Sequence, residues 1–323
     1  MNMLLVGLAL VSCEGAAFSS EYRISGASQS VTDAQALLSR VTRLPTAFLD
    51  IMGSEGNHER ITSHILTPEE REMVRQSLTA LAPLQQRVML QHLASISFAD
   101  GMPNSALTYP AKGRPGFFNI TIRAGVLHET VSQLLNHKEN ACFAHENPGS
   151  RVVIDAGRMP ALTYILLHES THVVDASIGL TLDTAKRRGL DKPIGEFGQG
   201  VWVDWKNPVP AYASAALQVG CYHHGGKDAD ISAAPVVYQA LAGTPFPSLY
   251  ATASEHEYIA ELTAYSALSQ RFHQPYTITV YLNDVPVYKL NPMKDALVRA
   301  QVSKTRIFYG TMGDSSMSSG KTW

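Results

Sequence analysis

The run Leu166-Leu167-His168-Glu169-Ser170-Thr171-His172-Val173-Val174-Asp175 holds two imidazoles four residues apart, with a carboxylate directly after the first. On a helix, positions i and i+4 share a face, so His168 and His172 can each turn a ring nitrogen toward one zinc ion, Zn2+. Glu169 then stands beside the metal, placed to act as general base toward a zinc-activated water. The H-E-x-x-H pattern is short enough to arise by chance, so its weight comes from its surroundings. Apolar Ile165, Leu166 and Leu167 flank it, and two histidines and a glutamate buried there without a cation would be costly.

A catalytic zinc takes a third protein ligand and keeps one position open. Glu257 and Glu261, four residues apart, share a helical face with Ala264 and Leu268, a stripe otherwise suited to burial. Two acids on a buried face need a cation. We assign Glu257 as the ligand and Glu261 as the acceptor that orients a ligating histidine. The two could exchange roles, and the inert reading of the segment is a solvated acidic face on a surface helix.

These residues need elements to hold them. Gly157-Arg158-Met159-Pro160 ends a strand over Arg151–Asp155 and starts the motif helix, which runs to about Ser177 and stops at Gly179. The acidic pair Glu257 and Glu261 lies on a helix from Ser254 to Arg271. Upstream, Thr67-Pro68-Glu69-Glu70 is a capped helix start, and helices are expected over 68–80 and 83–97. Phe117–Ile122 alternates like a strand, and a helix follows over 125–136. Residues 180–247 are rich in Gly and Pro, with some helix near 210–220. Tyr276–Leu290 reads as a hairpin turning at Asn283-Asp284, Met293–Val302 as a short helix, and Gly313–Trp323 as a frayed tail.

With Tyr250 seven residues before Glu257-Tyr258-Ile259-Ala260-Glu261, and Asp175 three after His172, the chain resembles the lethal factor-like and Pro-Pro endopeptidase-like zinc metallopeptidases over roughly residues 150–270. Their pattern is H-E-x-x-H-x-x-D, then a tyrosine seven positions ahead of E-[FY]-x-A-E. The resemblance implies a zinc metalloendopeptidase of the gluzincin type, with metal ligands His168, His172 and Glu257. Glu169 would be the base, Tyr250 the phenol that stabilises the oxyanion, and Asp175 a supporting residue. A phenol just before the ligand helix makes independent physical sense as a donor to the charge that develops on a carbonyl oxygen. The chain departs from compact members in the longer stretch between His172 and Tyr250.

The implied fold is α+β: a zincin-like domain with a small mixed sheet, the H-E-x-x-H helix and a second, ligand-bearing helix, joined to a helical N-terminal region. We divide the chain into a signal peptide (1–12), a lipid-anchored tether (13–45), the helical region (46–110), the catalytic domain (111–312, with an insertion over 177–247) and the tail (313–323). The expected partner is a protein or peptide, lying by strand addition along Arg151–Asp155 or Phe117–Ile122. Two other readings are a non-catalytic zinc-binding surface lipoprotein and a metal-dependent hydrolase of a non-peptide substrate. A purely structural site would have no use for Glu169.

The 323 residues, 45% hydrophobic, suffice for a full core, and a net charge of −2 gives no basic surface for nucleic acid. Met3–Val11 is an apolar run of signal-peptide length, and Leu10-Val11-Ser12-Cys13 resembles the lipobox of bacterial lipoproteins. Lipidation of Cys13 would place the protein in the bacterial cell envelope, held to a membrane by its anchor. A buried strand with an ordinary cysteine is the alternative. Cys142 and Cys221 then remain, either as a disulfide or as two separate buried thiols. Cys221-Tyr222-His223-His224-Gly225-Gly226 reads as a loop rather than a second metal site, because adjacent side chains diverge in regular structure. His128, His137 and His145 form no usable spacing.

Overall fold

The structure is a computed structural model. It describes residues 26–53, 61–145, 147–218, 221–223 and 229–310, with the side chains of 26–30 left out. Cys13, the expected signal peptide, His224 and the expected tail lie outside the described residues.

In chain order the elements are α1 (Gly26–Leu38), α2 (Thr46–Gly53), β1 (Thr62–Ser63), α3 (Pro68–Thr79), α4 (Pro83–His92), β2 (Leu93–Asp100), β3 (Ala106–Pro110), β4 (Phe118–Arg123), α5 (Val131–Asn140), β5 (Phe143–Ala144) and β6 (Arg151–Asp155). Then come α6 (Ala161–Ile178), α7 (Leu182–Arg187), β7 (Ala229–Asp230), α8 (Ala234–Ala242), α9 (Glu255–Ser266), β8 (Thr277–Leu282), β9 (Val285–Leu290) and α10 (Ala296–Val302). The chain is thus α+β with small sheets. One sheet is mixed, in the order β1-β2-β4-β3, with β2 and β4 parallel and both outer strands antiparallel. A second, antiparallel sheet runs β6-β8-β9, and β5 and β7 form a short pair.

The expected starts and stops match where local chemistry decides them. Thr67 and Glu70 form the capping box of α3, with Pro68 at its first position. Gly179, at φ +84°, ends α6 in the left-handed conformation that glycine adopts without strain. Asn283 and Asp284 take φ of 52° and 63° at the tip of the β8–β9 hairpin, as a two-residue turn requires.

Five expectations are corrected. The helix expected over 83–97 ends at His92, and Leu93–Asp100 is a strand instead. Paired parallel with β4, this strand is buried on both faces: Ile96 and Phe98 alternate with Ser95 and Ser97, whose hydroxyls meet Asn119 and Thr121 of β4. The helix expected over 125–136 starts later, at Val131, because Thr130 caps it through the Gln133 amide and leaves Ala124–His128 as a 3-10 turn. The tether expected over 13–45 includes α1, whose Ala34, Leu37 and Leu38 are buried in the main core. The region expected to be helical over 46–110 also holds β1, β2 and β3, so a boundary at 111 would cut through one sheet. In the insertion, residues 210–217 carry only two 3-10 turns, while α7 and α8 supply its helices.

Neither strand expected to receive a peptide has a free edge. β4 is interior. The outer edge of β6 is closed by α5: Asn136 Nδ2 donates to the Ile154 carbonyl and Asn140 Nδ2 to that of Val152, while their Oδ1 atoms accept from the Ile154 and Val152 amides. Among the described residues, the edge left open beside the motif helix is that of β3, which pairs with β4 alone.

Candidate metal centre

α6 is enclosed by α3, α4, α5, β3 and α9, and every residue from Ala161 to Asp175 is buried. Polar braces fix its position. Gln85 on α4 donates to the Leu167 carbonyl at 2.8 Å and to Thr171 Oγ1 at 3.1 Å, and Ser77 on α3 meets Thr163 at 3.0 Å. α9 packs along α6. Its first turn is capped by Ser254 Oγ, which accepts the Glu257 amide at 3.2 Å, and the positive helix end favours the carboxylate of Glu257 there.

Across this helix pair, three donor atoms converge. His168 Nε2 lies 3.1 Å from His172 Nε2 and 3.0 Å from Glu257 Oε2, and His172 Nε2 lies 3.6 Å from the same carboxylate oxygen. Among the described residues, this trio is the group able to hold a metal ion. Bonds of 2.0–2.2 Å in a tetrahedral site separate ligand atoms by about 3.3 Å, so the spacing suits zinc.

The surrounding hydrogen bonds suit a cation as well. His168 Nδ1 lies 2.9 Å from Glu261 Oε1, so its proton has an acceptor on that side and the Nε2 lone pair can face the trio. Glu261 also accepts from the Tyr164 hydroxyl at 2.5 Å and from Ser248 Oγ at 2.6 Å. Burial works against a charged His168, but the carboxylates of Glu257 and Glu261 outweigh it and hold its pKa up to about 10. Burial likewise opposes ionised Glu257, and the two histidines bring it well below the ordinary carboxylate range. The pocket therefore favours positive charge, and the donor set fits zinc.

Glu169 is buried on the side of α6 facing β3, where Thr108 Oγ1 donates to its Oε2 at 2.5 Å. Tyr250, in a 3-10 turn just before α9, stacks on the His168 ring with centroids 5.7 Å apart and 10° between planes. Burial and the charges of Glu257 and Glu169 raise its phenol well above the usual range, so it keeps its proton and can donate. Lys138 of α5 sits over the Tyr250 ring, Nζ 3.4 Å from the centroid, in the field of Glu261, Glu257, Glu139 and Glu169.

Asp175 is at the far end of α6 and touches none of the three donors. It accepts from the Leu180 and Thr181 amides, from Thr184 Oγ1, and from His256 Nδ1 at 2.8 Å. It thus fixes the chain after α6 and the residue next to Glu257. Elsewhere, His128 pairs with Glu70, His145 binds backbone carbonyls, and His223 meets Thr252, all outside the trio. Cys142 and Cys221 are disulfide-bonded, which ties the insertion to the end of α5. Thr108, Lys138, Tyr164, Ser248 and His256 carry no sequence spacing that marks them. Only the fold brings them to the site. No family model, curated protein or solved structure matches the chain.

Proposed function

We propose that the protein is a zinc-dependent endopeptidase of the zincin fold, akin to the lethal factor-like and Pro-Pro endopeptidase-like enzymes, exported and anchored in a bacterial envelope through Cys13. The observation that carries the reading is the convergence of His168 Nε2, His172 Nε2 and Glu257 Oε2 within 3.6 Å of one another, with Glu169, next to His168 on α6, hydrogen-bonded to Thr108 of the edge strand β3.

Zinc held by these three side chains supplies Lewis acidity toward a peptide carbonyl. The rest of the work falls to the chain. β3 offers its unpaired edge to an extended substrate, which suits cleavage within a chain rather than at a terminus. Thr108 holds Glu169 Oε2, leaving Oε1 to take a proton from the attacking water and return it to the departing amine. Tyr250, kept protonated, donates to the carbonyl oxygen as it gains charge. Glu261 fixes the ring orientation of His168. The Cys142–Cys221 disulfide supports an oxidising compartment.

Mass spectrometry of metal content, together with cleavage of a peptide library, tests the reading. Stoichiometric zinc in the wild type, lost in Glu257→Ala, with cleavage abolished and zinc kept in Glu169→Gln, is the expected result. A chain that takes up no zinc at neutral pH, or that holds zinc and cleaves nothing, would sink it.

A further inference from the structure

Beyond Pro110, the open edge of β3 leads into a cavity of about 370 Å³ between the β3–β4 turn, the C-terminal end of α6 and the end of α7. Phe117, Phe118 and Ala176 give it an apolar floor. Four cations line it, Lys112 and Arg114 from the turn and Arg187 and Arg188 from the other wall, and no carboxylate does. Some of that charge is already engaged. Arg187 pairs with Asp183 at 2.9 Å, and Lys112 reaches Asp50 at 3.5 Å on the open surface. The Arg114 guanidinium carbon sits over the Phe117 ring, 4.1 Å from its centroid. Arg188 pairs with no carboxylate among the described residues.

A buried hydroxyl lies in the cavity wall. Ser177 is 3% exposed and lines the cavity, and its enclosed Oγ has no hydrogen-bond partner among the described residues.

The cavity's position relates it to the metal centre. Pro110 lies two residues past Thr108, about 7 Å along an extended strand, and Ser177 lies five residues past His172, about 7.5 Å along a helix. Both measures place the cavity two to three residues of extended peptide from the reacting carbonyl.

We infer that this cavity is a specificity subsite for an acidic side chain, Asp or Glu, two to three residues from the bond that is cut. The inference rests on the peptidase reading for its register. A carboxylate entering along β3 meets Arg114 and Arg188 at the rim, while its methylenes lie on Phe117. The recognition is by charge, so an amide of the same shape is a poor substitute.

Two measurements on the full chain test it. In cleavage of a peptide library by the zinc-loaded protein, Glu at one position two or three residues from the cut should exceed Gln there by about tenfold in kcat/KM. In Arg114→Glu/Arg188→Glu the ratio should fall to one or below, with Lys or Arg gaining at that position. Cleavage with no acidic preference at either position, or a preference that survives the double reversal, overturns the inference and leaves the peptidase reading intact. Binding of dye-labelled Glu-containing and Gln-containing peptides, followed by fluorescence anisotropy, is independent of turnover. If no peptide is cut, a Glu preference in binding that the double variant loses still supports the subsite while the peptidase reading fails. Equal binding of the two peptides overturns the subsite.

Discussion

Thr108 on β3 donates a 2.5 Å hydrogen bond to Oε2 of Glu169 on α6, joining the strand that would receive a substrate to the carboxylate that would take the proton. The two residues are 61 positions apart in the chain. Strand and base are thereby held in one register, so a peptide paired with β3 arrives at a fixed height relative to Glu169.

Thr108→Val keeps the β-branched shape and removes only the donor. We expect kcat on a cleaved peptide to fall about 5- to 30-fold, the equivalent of roughly 1–2 kcal/mol, with KM and zinc content little changed. Steady-state kinetics beside metal analysis would read this, and an unaltered kcat would mean that Glu169 is oriented by other contacts.

Glu261 saturates its two oxygens with Tyr164, His168 and Ser248. Glu261→Gln should retain zinc but bind it about 10- to 100-fold more weakly, as loss of an orienting partner generally does. Glu257→Ala should weaken it further. Competition with a fluorescent chelator ranks the two, and the reverse order would exchange their roles.

Burial lowers the pKa of Lys138 from its ordinary 10.5, and the carboxylates of Glu261, Glu257, Glu139 and Glu169 oppose that shift and favour its charged form. A cation there repels a second cation. Lys138→Met should therefore bind zinc several-fold more tightly, while its metal-free form unfolds at a lower temperature because the acids lose their neutralising partner. Chelator competition and thermal unfolding in chelator check the two halves, and weaker zinc binding would contradict the expected sign.

How much could be read in advance divides along the same lines as these contacts. His168, Glu169, His172, Glu257 and Glu261 are visible because helical geometry turns a spacing of four into a shared face. Thr108 and Lys138 are not, since each reaches the site through tertiary packing that no local period encodes. The strand Leu93–Asp100 escapes for a related reason: its alternation of Ser95 and Ser97 with Ile96 and Phe98 is short and runs straight on from α4, and the partners that bury the serines, Asn119 and Thr121, lie on β4. Capping chemistry, by contrast, is local, and Thr67, Glu70 and Gly179 behave as their types dictate.

Glu70 supplies a pH prediction away from the metal centre. It is buried, accepts the Thr67 amide, and lies 3.1 Å from both His64 and His128. Burial opposes charge on His64, but Glu70 and Asp100 outweigh it and raise its pKa above 6.5. The stability it contributes is fully present below 6.5 and is lost as pH rises through the higher folded value. Burial opposes charge on Glu70 too, yet the Thr67 amide and His64 lower its pKa from 4.5, so its contribution is present above 4.5 and lost as pH falls through the depressed value. Urea unfolding in chelator from about pH 6 to about pH 9 should show a loss of stability in the wild type that His64→Gln lacks. Parallel curves for the two would rule the pair out as a source of pH dependence.

The disulfide spans 79 positions, and closing a loop of that length in the unfolded chain is worth about 4.5 kcal/mol by chain entropy. Cys142→Ser/Cys221→Ser should lose roughly 2–5 kcal/mol. Urea unfolding of both proteins measures it, and equal midpoints would mean that the insertion is held by packing alone.

Of the 18 residues of α6, only Ala176 and Ile178 escape full burial. A helix enclosed in this way gives mutation little to work with: nearly any change along it disturbs a neighbour at core cost. Lys112, Arg114, Arg187 and Arg188 can be exchanged with far less penalty, because they are exposed. New preferences should therefore arise by rewriting the turn and the insertion around an unchanging axle. A laboratory selection for altered cleavage would be expected to return variants in those segments and none between Ala161 and Asp175.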